Sequence, residues 1–180
     1  MFLNICWGVL SMIFRDLDIN NKYEIDFVSK VHMILGWKNS HNYNIDELTD
    51  SNQWKPTLDF LKSKLQNSKI ILAYDSDIIG VEWSEKYSEE MIDHMIWVRS
   101  EYRNTGVGKL LREMAFEWGI KQNVKYFITS TKKDNLIMQN HNLKLGLTFQ
   151  YEELRGNETY YVYRKKLKKS GSPVGGGVRS

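Results

Sequence analysis

Residues 97–111 read WVRSEYRNTGVGKLL, and the fold is decided here. The β-rich run EMIDHMIWV (90–98) stops at Val98, and Arg103-Asn104-Thr105-Gly106-Val107-Gly108 then opens a helical pattern. Leu110, Leu111, Met114, Ala115 and Trp118 share one face of that helix, which is predicted over 106–120. A helix start presents amide donors without intrahelical acceptors and a partial positive charge. Glycines there let a ligand come close to the backbone, an arrangement suited to a pyrophosphate. Two common phosphate-binding patterns fail. The Walker pattern needs Gly five residues before Lys109 and Ser or Thr after it, where the chain has Asn104 and Leu110. The dinucleotide fingerprint needs a third Gly at position 111, which is Leu111.

Outward from this stretch, VKYFITST (124–131) reads as a strand, so the helix at 106–120 is a crossover between parallel neighbours. Upstream, KIILAYDS, DIIGVEWSEKY and EMIDHMIWV form an antiparallel meander over roughly 69–98. Earlier still, helical spacing appears over 22–37 and over 52–67, the latter with Pro56 in its first turn, after a short strand at 12–18. The polar stretch 41–51 reads as a loop. Downstream, a helix at 134–145 stops at Gly146, and TFQYEEL and TYYVYRKKL flank the Gly156-Asn157 hairpin turn. The order β-α-α-β-β-β-α-β-α-β-β predicts an α+β domain over 12–168, with a mixed central sheet of about seven strands and about four helices. Residues 1–11 read as a leader or extension, and 169–180 as a Gly/Ser-rich tail.

RNTGVGK resembles the Q/R-x-x-G-x-G/A signature of the GNAT acyltransferase superfamily. Val98 stands five residues before Arg103, as in the longer family pattern, and Asn135 precedes Leu145-Gly146-Leu147 at the family's usual distance. The resemblance implies the GNAT fold and transfer of an acyl group, most simply acetyl, from acetyl-CoA to a primary amine by direct attack. It implies a cofactor-binding set of Ile96, Trp97, Val98, Arg103, Asn104, Thr105, Gly106, Val107, Gly108, Lys109 and Asn135, with an oxyanion donor among the backbone amides of 96–98. No metal is implied. The family's usual tyrosine acid, four residues before the Gly of the Leu-Gly motif, is replaced by Asn142, which cannot give a proton. Its neighbour His141 is an alternative, as are a water or one of Tyr151, Tyr160, Tyr161 and Tyr163. Base candidates are His94, Asp93 and Glu82, and His94 shares a face with Ile96 and Val98 if no bulge intervenes. Trp37 and Trp83 are candidates for lining an acceptor cleft.

Composition narrows the partners. Six Trp, ten Tyr and seven Phe in 180 residues belong to a folded chain. The net charge is +3, but six basic residues and no acidic one follow from Arg164 onward, which leaves −3 for 1–163. That body lacks the basic character of a nucleic-acid binder and suits a cationic amine. Cys6 is the single cysteine, and no Cys/His cluster suggests zinc, which fits a reducing, cytoplasmic setting. The apolar start MFLNICWGVLSMIF is too short for a membrane span. A small-molecule amine is the expected acceptor, with a homodimer possible. A non-catalytic acyl-CoA-binding module and a protein or peptide acyltransferase are the competing readings.

Overall fold

The computed structural model describes residues 3–7, 10–37, 45 and 50–168; the side chains of 3–11, 36, 37 and 51 lie outside the described set. Strands β1 (Leu3–Trp7) and β2 (Leu10–Asp16) are followed by helices α1 (Lys22–Trp37) and α2 (Lys55–Lys64). The meander β3 (Ser68–Asp75), β4 (Asp77–Tyr87) and β5 (Glu90–Val98) comes next. Then follow α3 (Val107–Lys121), β6 (Tyr126–Lys132), α4 (Leu136–Lys144), β7 (Thr148–Arg155) and β8 (Glu158–Lys166). The sheet order is β1-β2-β3-β4-β5-β6-β8-β7. All neighbours are antiparallel except β5 and β6, the pair joined through α3. The mixed sheet and four α-helices are those expected; the eighth strand is Leu3–Trp7, paired with β2 inside the segment read as a leader. The tail at 169–180 and most of the loop at 41–51 lie outside the described residues.

Strand alternation divides the core in two. Ile70, Leu72, Val81, Trp83 and Met95 point to the α1/α2 face, where Val28, Val31, Ile34 and Leu61 cover them. Ile71, Ala73, Met91 and Phe127 point the other way, onto Leu111, Ala115 and Phe116 of α3. β4 is therefore buried on both sides from Ile78 to Glu85, and its buried residues include the polar Glu82, Ser84 and Glu85.

Gly80 of β4 sets how closely α3 can approach. A methyl group there would lie 2.9 Å from Leu111 Cδ1 and 3.1 Å from Val107 Cγ1, closer than carbon atoms pack. Gly80→Ala is expected to destabilise the protein by about 1–2 kcal/mol through overpacking, read as a lower urea midpoint at unchanged m-value.

Candidate active site

Beyond Ile92 of β5 and Ile128 of β6 the two parallel strands no longer pair. A bulge explains the parting. Trp83 of β4 is opposite Met95, but Ser84 is opposite Asp93, so His94 is an extra residue on β5. The bulged strand bends and twists away, and six residues, 93–98, run on beside β4 alone. Arg99 N–H donates to Ile79 O at 2.9 Å, which sets the phase of the ladder. By antiparallel alternation, Trp97 is spent on β4, while Ile96 and Val98 turn their N–H and C=O groups into the gap. The candidate oxyanion donors thus reduce to Ile96 and Val98. The Trp97 side chain packs edge-on against Phe27 of α1.

The gap leads to the start of α3. Arg99 is bonded to Ile78 O and Asp77, and Tyr102 Oη donates to Asp75 at 2.6 Å, anchoring the loop between. Arg103 Nε donates back to Val98 O at 3.1 Å, and Thr105 Oγ1 to Tyr102 O at 2.7 Å. Asn104 has φ 64° and Gly106 φ 94°; Gly106, the N-cap, gives the helix no side-chain cap. The first-turn amides of Val107, Gly108 and Lys109 therefore lack the partners a capping side chain would supply. Lys109 is exposed and 3.8 Å from Glu113, a weak surface pair. A Cβ on Gly108 would meet Val98 at 3.6 Å, Ile96 at 3.7 Å and His141 at 3.8 Å, so the loop glycine, the end of β5 and α4 converge. Asn135 caps α4, its Oδ1 accepting from Met138 N–H.

The bulge separates the three base candidates. His94 faces α1 and α2, opposite to Ile96 and Val98, which corrects the bulge-free expectation. Its Nε2 lies 2.8 Å from Glu85 Oε2, and Lys64 holds the other oxygen of Glu85 at 3.1 Å. Burial pushes the Glu85 carboxyl up, but His94 and Lys64 outweigh it and hold the group below its ordinary range. Rings of His32, Phe60 and Trp83 surround His94; burial, with help from His94, lowers His32 to about 4. Trp83 is fully buried and donates to Ser68 Oγ, so it is core and not a cleft wall. The Trp37 side chain lies outside the described residues.

Asp93 and Glu82 face α3 and α4. Thr129 Oγ1 donates to Asp93 Oδ2 at 2.5 Å, bridging the strands at the first positions past their parting. Arg112, fully buried, places Nη1 2.9 Å from Asp93 and 3.2 Å from Glu82. Ser84 Oγ donates to Glu82 Oε1 at 2.7 Å. One guanidinium cannot balance two buried carboxylates. Burial raises Glu82, Arg112 opposes and Asp93 adds, and the carboxyl ends at about 8 despite the ion-pair geometry. Desolvation first, then Arg112, lowers His141, leaving a neutral imidazole unsuited to giving up a proton. Among the described residues, eight buried side-chain nitrogen or oxygen atoms lack a hydrogen-bond partner, and seven belong to Glu82, Asp93, Arg112, His141 and Asn142. Such clustering concentrates unused hydrogen-bonding capacity, which a water or a polar ligand group can meet, at one place in the fold. Sequence reasoning missed Arg112, Thr129 and Glu85; a lone arginine on the buried stripe of α3 is the one available signal.

Because the folded carboxyl of Glu82 is raised well above the 4.5 of an ordinary glutamate, the native state holds a proton that the unfolded state releases. This contribution favours the fold below about pH 4.5 and is lost as pH rises to about 8. The stability of Glu82→Gln relative to the original chain is expected to climb across that window and level off above it, as followed by denaturant melts from pH 5 to pH 9.

The Acetyltransferase (GNAT) family profile matches residues 37–147. No curated protein sequence matches significantly. Among solved structures, aminoglycoside 6'-N-acetyltransferase complexed with coenzyme A superimposes with a TM-score of 0.66 at 13% identity, covering 86% of this chain and 97% of that one. The ribosomal-protein-S18-alanine N-acetyltransferase from Escherichia coli gives 0.64 at 12% identity, over 91% and 98%. Nourseothricin acetyltransferase gives 0.54 at 17% identity, over 57% of this chain and 66% of its own length. The matched segment holds the parted strands, the uncapped helix start and α4, and the chain belongs to the GNAT acetyltransferase family.

Proposed function

We propose that the protein is an N-acetyltransferase that moves an acetyl group from acetyl-CoA to a primary amine of a small-molecule acceptor, by direct attack in a ternary complex. One observation carries this reading: the stretch of β5 that β6 leaves unpaired leads through an anchored loop to an uncapped, glycine-lined helix start. The residues fit the co-substrate. Val107, Gly108 and Lys109 offer amides to a pyrophosphate, with Arg103 alongside. The outward N–H and C=O groups of Ile96 and the N–H of Val98, whose C=O already accepts from Arg103, suit the amides of a pantetheine arm. One of those N–H groups can also hold the oxyanion, a role typically worth a few kcal/mol in the transition state. No geometric need places Asn135 on the co-substrate; its cap role positions α4.

The amine must lose a proton before it attacks. His94 is the base we favour, because Glu85 holds its Nε2 and leaves Nδ1 for the incoming proton. The amine then approaches from the α1/α2 face. Small acceptors are supported by the fold neighbours named for an aminoglycoside and for nourseothricin, and a cationic one by the mildly acidic body of the chain.

Acetyl-CoA at a hundred times its dissociation constant is expected to stabilise the fold by about 2.7 kcal/mol. ATP and NADH should leave the melting temperature unchanged. A larger shift with either would sink the assignment of the loop. Gly108→Leu, whose side chain must enter the space between Ile96, Val98 and His141, should melt cooperatively yet lose the acetyl-CoA shift. With an amine panel and thiol detection, His94→Gln should lower kcat about 10²-fold or more while sparing the acetyl-CoA shift. Full activity in that variant would remove His94 as the base.

A further inference from the structure

We propose that Glu82 is the proton donor to the departing sulfur, acting from the buried polar cluster it forms with Arg112, Asp93 and Thr129, on the face of the sheet to which α4 brings His141 and Asn142. The inference rests on the acetyl-transfer reading above and supplies what Asn142 cannot.

Glu82 lies directly opposite Ile96 across the β4–β5 ladder, in a non-hydrogen-bonded pair, where side chains stand closest. It is therefore beside the backbone that turns into the gap. Ser84 and Arg112 hold Oε1, and Oε2 has no partner. From α4, Asn142 enters the same face fully buried, with both its Nδ2 and its Oδ1 unpartnered. A primary amide offers a donor and an acceptor together, so Asn142 can bridge a carboxyl on one side and a sulfur or a water on the other. His141, next to Gly108, is neutral and has no proton to spare.

The titratable and charged groups around Glu82 are Arg112 from α3, Asp93 from β5 and the neutral His141 from α4, while β3 contributes the apolar Ile71 and β6 the Thr129 hydroxyl. With one cation between two carboxyls, the site is neutral when Glu82 carries a proton. A proton held near pH 8 is well matched to a thiol of pKa about 8.5. In the reaction the amine nitrogen bonds to the carbonyl carbon and the C–S bond breaks, its electron pair going to sulfur. Glu82 gives its proton to that sulfur. The proton shed by the amine passes to the base and on to solvent, and Glu82 is reprotonated from solvent. One proton moves in net from amine to thiol, and nothing is oxidised or reduced.

The test is the pH dependence of kcat with acetyl-CoA and an accepted primary amine. A donor predicts that kcat falls as pH rises through about 8. Glu82→Gln should lower kcat about 10²-fold or more, abolish that fall, and leave the KM for acetyl-CoA unchanged. A kcat that rises through the same range makes Glu82 a base, and a Gln variant that keeps the original pH profile removes it from proton transfer; either result overturns the proposal. The acetyl-CoA thermal shift reports whether the variant is folded. If it is not, infrared spectra of the original chain decide: a protonated carboxyl band present at pH 7 and lost by pH 9 is expected, and a buried carboxylate at pH 7 refutes the donor. Absence of thiol release with every amine, in a protein that acetyl-CoA stabilises, would defeat the transfer reading and the donor with it. Thiol release with the wrong pH profile would defeat the donor alone.

Discussion

β5 and β6 share three residue pairs and then part, and the rest of the site follows from that separation. In a continuous parallel sheet the backbone groups of Ile96 and Val98 would be consumed by β6. The bulge at His94 prevents this by turning β5 away, and the Asp93–Thr129 bond fixes where the parting begins. Leaving strand polar groups unpaired is costly unless something else meets them. The cost is confined to one short stretch because β4 resumes its ladder with β5 past the bulge on the far side, and because β6 is paired with β8 along its whole length.

The same bulge sorts the chemistry. Adjacent residues of a regular strand already face opposite sides, but the extra residue shifts the phase. His94 then joins Met95 on the α1/α2 side, while Asp93 joins Ile96 on the other. A carboxylate-held imidazole and a cation-held carboxyl pair are thereby kept apart, with the sheet between them. In water such groups would equalise through solvent. Here burial lets each environment set its own proton affinity, lowering Glu85 and raising Glu82 within four residues of one strand.

Much of the fold was legible because its elements obey clean periodicities. The meander, the crossover helix and the Gly146 and Gly156 turns announce themselves through alternation, the spacing of α3 and residues with positive φ. The helix start at Gly106–Gly108 was equally readable, since its donors belong to the backbone and depend only on where the helix begins. Side-chain placement was less accessible. A bulge leaves no mark in EMIDHMIWV, so the face of His94 could not be read, and Trp83 looked available although the rings of His32, Phe60 and His94 and the Ser68 hydroxyl enclose it. Arg112 was passed over because a single charge on an apolar stripe is normally a residue at its edge. The two carboxyls that need it are 19 and 30 positions away in sequence, and only the folded sheet brings them together.

Gly80 has one further implication. It lies across from Val98, and the methyl it lacks would press on Val107, the first residue of α3. The floor beneath the helix is thus also the datum from which the height of its leading amides is measured. Any side chain at position 80 would act as a shim, lifting the first turn away from the end of β5 without touching a bound molecule. Core fit and ligand alignment are in this respect a single mechanical tolerance, set by a hydrogen atom on the buried side of the sheet.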